Sequence, residues 1–302
     1  MKHLSRRSLG VLTLGALAST GLVACSKTEE GAGSGGAENG SALEVFASTS
    51  VWGSIAKNVG GDLVTVSSAV NNPDQDPHDY EATAEDKLKI SRSKLAVING
   101  GGYDTWATTL LNSVRTRPVV VDAFTTSGFK DGDNEHIFYS LDAASKTADA
   151  LAAELSKIDS GNASKYSQNA KALNAKLDDL EERAKNWGAK NPSEGVVSTE
   201  SVAQYLLRDL GLKDLTPPEY ITQSESEAGP SVATVEKTRQ LIGKQATVLI
   251  VNGQTQDAVS TKLVEQATKT NVRIVKVYET FPEGVDDYVD FMTTAVDAIT
   301  GA

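Results

Sequence analysis

The sequence predicts an α/β protein of two lobes, each a mostly parallel sheet flanked by helices, joined by one long, rigid backbone helix. Three observations carry this expectation. Short β-branched runs alternate with helical segments, break off, and resume near residue 195. An uninterrupted stripe of apolar residues at spacings of three and four lies between the two series. A chain of 302 residues is also long enough to bury two cores.

In order, LEVFAS from Leu43 reads as a strand, SVWGSIAKNVG as a helix closed by glycine, and DLVTVSSAV as a second strand. A polar loop follows, then the helical TAEDKLKIS, the strand KLAVING, the helix YDTWATTLLNSV and the strand PVVVDA. A helix with Leu141, Ala144, Ala148, Leu151, Leu155 and Ile158 on one face comes next. The long stripe then runs Tyr166, Ala170, Leu173, Leu177, Leu180, Ala184, Trp187, with Gly188 and Pro192 expected to end it. The second series reads GVVST, ESVAQYLLRDLG, ATVLIVNG, DAVSTKLVEQATKT, VRIVKVYE and a closing helix near 285–299. The lobes are expected at 43–159 and 191–302, with the connecting helix at 160–190.

The N-terminus has a different character. Lys2, Arg6 and Arg7 precede an uncharged run from Leu9 to Ala24 that ends in LVAC, the form of an export signal with small residues before the sole cysteine. Residues 1–24 are expected to be removed, leaving Cys25 as a lipidated N-terminus, and residues 25–42, rich in Gly, Ser and acids, form a flexible tether. The expected location is extracytoplasmic, at the outer face of the cytoplasmic membrane. A single cysteine excludes an internal disulfide and a multi-cysteine zinc site. With 29 basic and 40 acidic residues the formal charge is −11, and loss of residues 1–24 takes it to −14, which argues against nucleic acid as a partner.

Only His78 and His136 remain beyond the signal. His78, in NNPDQDPHDYEAT, follows the second strand, and His136, in DGDNEHIFYSLD, follows the fourth. Both fall on the rim where strand C-termini of a parallel sheet present ligand-binding loops. Asp76 and Asp142 are placed to orient the imidazoles through their second nitrogens.

From about residue 43 to the end, the order DPHDYE, VINGGGYDTW, the second histidine loop, the long helix and ETFPEG resembles the metal-binding solute-binding lipoproteins of ABC importers, which capture manganese, zinc or iron(II). The resemblance implies a metal in the cleft between two lobes, held by His78, His136, Glu200 in the turn opening lobe two, and Glu279 after the last strand. It departs from the family where NEH replaces the usual NPH and Glu279 the commoner aspartate. Asn252 and Gln254, in IVNGQTQD, are further candidates near the cleft. Two imidazoles and two carboxylates make a mixed nitrogen and oxygen set whose charge balances a divalent cation. Within the family it resembles, a glutamate at the position of Glu200 goes with manganese or iron and a long histidine-rich loop, absent here, with zinc; the resemblance thus implies Mn(II), with Zn(II) the competitor and Fe(II) a third cargo.

The implied partners are the permease and ATPase of a metal importer, the membrane through the lipid, and no second copy of the chain. Four protein ligands leave no clear place for an activated water, so no enzyme activity is expected. Two other classes are weighed against transport: a surface adhesion lipoprotein, which would leave both histidines unemployed, and a metal-dependent hydrolase, which would keep an exchangeable water on the metal.

Overall fold

Strands that read as unbroken apolar runs occupy the centres of two four-stranded, all-parallel sheets in the computed structural model, which describes residues 42–301 except 193, 225, 227 and 256. The export signal, Cys25 and nearly all of the tether lie outside the described residues. In lobe one the order is β2 (Val64–Val70), β1 (Leu43–Thr49), β3 (Leu95–Ile98), β4 (Val119–Asp122), and in lobe two β6 (Lys213–Asp214), β5 (Gly195–Ser198), β7 (Val248–Asn252), β8 (Arg273–Val277). The central β3, β5 and β7 are buried along their whole length, whereas the edge strands β2, β4, β6 and β8 alternate or lie open. That is the pattern of sheets covered by helices on both faces.

The helices are α1 (Ser50–Gly60), α2 (Ala84–Arg92), α3 (Thr105–Ser113), α4 (Ala123–Ser127), α5 (Leu141–Ile158), α6 (Ala163–Lys190), α7 (Gln204–Asp209), α8 (Pro218–Ser224), α9 (Val232–Arg239), α10 (Ala258–Lys269) and α11 (Tyr288–Thr300). Successive strand residues face opposite layers. Phe46, Ala96 and Ile98 meet α2 and α3 on the outside of lobe one, and Val197, Leu249 and Val251 meet α8, α9 and α10 on the outside of lobe two. Their neighbours Val45, Ala47, Leu95 and Val97, with Val196, Val248 and Ile250 from the other sheet, join one continuous core with α1, α5, α6, α7 and α11. The two sheets therefore share a middle layer of helices. Lobe two is also tied to α1 by Asn58 Nδ2, which donates to Asp287 Oδ2 at 2.7 Å, and by the Tyr288 amide, which donates to Ser54 Oγ at 2.9 Å.

α6 is a single helix of 28 residues whose buried stripe is Tyr166, Ala170, Leu173, Leu177, Leu180, Ala184 and Gly188. It packs against α1 and α5 on one side and α7 and α11 on the other. Gly188 does not terminate it. The helix runs through this residue, where a Cβ would overlap the Leu210 carbonyl oxygen, so the glycine marks a close helix-to-backbone contact. Two further differences from the sequence reading matter for the site. The expected helix ESVAQYLLRDLG begins only at Gln204, leaving Glu200 in the bend after β5. Residues 213–239 hold β6, α8 and α9, short elements without a strong apolar period.

Candidate metal centre

All the loops of the site leave C-terminal ends of strands, three in each lobe. From lobe one, the β2 loop carries His78, the β3 loop Tyr103, and the segment after β4 and α4 carries Glu135 and His136. Lobe two contributes Glu200 after β5, Asn252 and Gln254 at the end of β7, and Glu279 after β8.

Each loop is fixed by polar contacts that its own residue types supply. Asp76 Oδ1 accepts the His78 backbone N–H at 2.8 Å, and Trp106 Nε1 of α3 donates to the Pro77 carbonyl at 3.0 Å, tethering the loop. From the other lobe, Gln254 Nε2 donates to the carbonyls of Pro73 at 2.9 Å and Gln75 at 3.2 Å. The oxygen of the same amide accepts from the Glu279 backbone N–H at 2.5 Å, so one side chain spans the loops of His78 and Glu279.

His136 is oriented by Asn134, not by Asp142. Asn134 Oδ1 lies 2.8 Å from both the His136 backbone nitrogen and Nδ1, while its Nδ2 donates to Ser201 O at 2.9 Å and Gln204 Oε1 at 2.7 Å. Those two donations fix which way the amide faces, so its oxygen accepts a proton on Nδ1 and the Nε2 lone pair points into the site. Asp142 sits in the first turn of α5, 60% exposed, and takes Lys146 Nζ at 2.8 Å one helical turn on. A helix-surface ion pair is its role.

The imidazoles converge on Glu279. Its carboxylate is 3% exposed; Oε2 lies 3.3 Å from His78 Nε2 and 3.6 Å from His136 Nε2, and has no hydrogen-bond donor among the described residues. Oε1 accepts from Asn252 Nδ2 at 2.8 Å, and the same Nδ2 donates to Glu200 Oε2 at 2.7 Å. One amide thus bridges two carboxylates, and Glu200 joins the cluster through it. Tyr103, fully buried, makes T-shaped contacts with His78, centroids 4.6 Å apart, and with His136 at 5.7 Å, and its hydroxyl has no hydrogen-bond partner among the described residues. Glu135, which sequence reasoning passed over, brings its carboxylate in beside both imidazoles: donor atoms of His78, Glu135 and His136 all lie within 4.8 Å of one another.

The electrostatics are those of a centre balanced by protons. Partial burial of His78 works to lower its pKa, but the Glu279 carboxylate facing it overrides this and raises it to about 9. Glu279 would be raised by burial, yet the two imidazoles hold it well below the usual carboxylate range. Burial lifts Glu200 to about 7, with repulsion from Glu279 adding to the rise and the Asn252 hydrogen bond opposing it. A divalent cation seated here replaces protons as the partner of these carboxylates.

Paired parallel α/β sheets around a shared helical layer, with strand-end loops closing on a nitrogen and oxygen cluster from both sides, make this a two-lobed binding protein for a small cationic ligand. The chain belongs to the family of periplasmic zinc-uptake complex component A, whose sequence model matches residues 45–302. It is 30% identical over 251 residues to the manganese ABC transporter substrate-binding lipoprotein PsaA of Streptococcus anginosus, covering 78% of this chain and 79% of that one. Among solved structures, the solute-binding protein FpvC of Pseudomonas aeruginosa, in complex with Mn2+, superposes with a TM-score of 0.72 at 23% identity, over 86% of this chain and 97% of that one. The periplasmic zinc-binding protein TroA of Treponema pallidum gives 0.73 at 18% identity, over 86% and 99%. These structural likenesses establish the shared fold.

Proposed function

We propose that this protein captures a divalent transition metal outside the cytoplasm and hands it to the permease of an ABC importer, with His78, His136, Glu200 and Glu279 as ligands. The observation that carries this reading is Glu279 Oε2, buried, without a hydrogen-bond donor among the described residues, and facing the Nε2 atoms of two histidines. A cation between these atoms accepts both lone pairs and neutralises the carboxylate. The relative named as a manganese lipoprotein supports Mn(II) as the cargo. Zn(II) is the competitor, because mixed nitrogen and oxygen sites bind it more tightly than Mn(II) whatever is transported; Fe(II) fits the same donor set. On this reading the chain catalyses no reaction.

Cys25 anchors the protein to the membrane through lipid, and residues 26–42 give it reach. The described residues include no helix long and apolar enough to cross a membrane. The test is elemental analysis of protein purified without added metal, followed by titration of the stripped protein with Mn(II) and Zn(II). Stoichiometric binding in the parent, much weakened in His78→Ala and Glu279→Gln, is expected; variants that bind as tightly as the parent would overturn the ligand set. Intact mass of membrane-extracted protein tests the acylated Cys25.

A further inference from the structure

The four proposed ligands come from both lobes, but a second donor set lies on lobe one alone. His78, Glu135 and His136 bring one donor atom each within 4.8 Å of one another without any contribution from lobe two. The loop that carries the set is built into the fold. Asn99, fully buried and holding the indole N–H of Trp52 at 3.0 Å, donates through Nδ2 to the Glu135 backbone carbonyl at 2.9 Å, and the Ile137 amide donates to the same oxygen at 2.7 Å. Exposure falls along the path inward: the side chain of His78 is 36% exposed and Glu135 half-buried, while His136 and Glu279 are closed off. Glu279 Oε2, buried and without a hydrogen-bond donor among the described residues, faces the two histidines.

We propose that His78, Glu135 and His136 form a capture site that takes a divalent transition metal at the mouth of the cleft, before the carboxylates of lobe two engage it. Glu135 is then exchanged for Glu279 and Glu200 as the ion moves inward. Physically, an imidazole pair with one accessible carboxylate replaces part of the hydration shell while the ion is still in contact with water. The buried carboxylates thus receive a cation already partly dehydrated. Glu135 accordingly sets the rate of loading, and the lobe-two carboxylates set the rate of loss.

This inference rests on the metal-binding reading above, and the experiment separates the two. Stopped-flow association and dissociation of Zn(II), with Mn(II) followed by electron paramagnetic resonance, compare the wild type, Glu135→Gln, Glu279→Gln, and Asp131→Asn as an exposed acid of the same loop. Glu135→Gln is expected to slow association about tenfold with dissociation nearly unchanged, Glu279→Gln to speed dissociation, and Asp131→Asn to do neither. The double variant Glu200→Gln/Glu279→Gln should keep weak one-to-one Zn(II) binding that the further change Glu135→Gln removes. An unchanged association rate in Glu135→Gln, or an effect on dissociation alone, overturns the capture site, the latter making Glu135 a resident ligand. A wild type that binds neither metal overturns the metal-binding reading itself. Should the double variant fail to fold, the single-variant rates decide.

Discussion

Loading with metal should expel protons, and the structure sets how many. At pH 7 a group with a pKa of about 9, as for His78, holds close to one proton, and one with a pKa of about 7, as for Glu200, holds about half. Glu279, held well below its usual range, has none to give. A cation bound through neutral imidazoles and ionised carboxylates therefore releases about 1.5 protons from these groups. Replacing Glu279 by Gln removes the partner that raises His78. Its pKa then returns towards the ordinary 6.5, and its share of the release falls to about a quarter of a proton. The assay is calorimetric titration with Zn(II) at pH 7 in buffers of different ionisation enthalpy, whose slope counts protons directly. Release below about half a proton in the wild type, or no drop in Glu279→Gln, would refute the argument. The expected pH window also moves: free histidine points to weakening of binding near 6.5, whereas the Glu279 contact extends the competition between proton and metal up to about 9.

The same shifts predict how metal stabilises the fold. Raised values on His78 and Glu200 mean that stability present at low pH is lost as pH rises, between about 4.5 and 7 for Glu200 and between 6.5 and about 9 for His78. The gain in Tm on adding Zn(II) should therefore grow from pH 5 to pH 9, and a flat profile by differential scanning calorimetry would contradict this. Asn134→Leu frees the Nδ1 proton of His136 to change place and should weaken Zn(II) binding by about 10–100-fold, measured by chelator competition. Tyr139→Phe removes the hydroxyl that donates to the Tyr278 carbonyl at 2.9 Å and accepts its amide at 3.1 Å, and should cost about 1–3 kcal/mol in urea unfolding. Gly188→Ala should cost a similar ~1–3 kcal/mol by the same measurement, since the Leu210 backbone has to move to admit a methyl group.

Much of the architecture was legible because it depends on periodicity. The apolar runs of β3 and β7 announce central parallel strands, and the stripe from Tyr166 to Ala184 announces α6. Glycine misled where its reason for being there was tertiary: Gly188 reads as a stop in sequence, but its neighbour is Leu210, far along the chain. Position along the chain also gave which loops approach the cleft, but not the direction of a side chain. Asp142 is close to His136 in sequence, yet the helix it opens turns it towards Lys146, and Asn134, two residues before the histidine, takes the orienting contact. Glu135 offered a readable signal, a carboxylate adjacent to a candidate ligand, but an acid next to a histidine in an acidic chain stands out only once His78 is seen beside it. Likewise nothing in the sequence around Tyr103 marks it as lying beside both histidines, a placement set by the loop after β3.

The continuous core that runs from Val45 through α6 to Val248 has a consequence for the protein's working cycle. Two sheets that share their hydrophobic filling cannot part far without exposing it, which opposes a wide hinge opening as the way to let cargo go. The parts free to yield are the connections above the strands, above all the 71–83 stretch bearing His78, held from across the cleft by the Gln254 amide and the contact of His78 with Glu279. Unloading then becomes a local event, in which a docking partner need only pry loose one segment while the body of the receptor stays intact. Such a carrier can hold its ion for long periods in dilute surroundings and still surrender it quickly to the right contact.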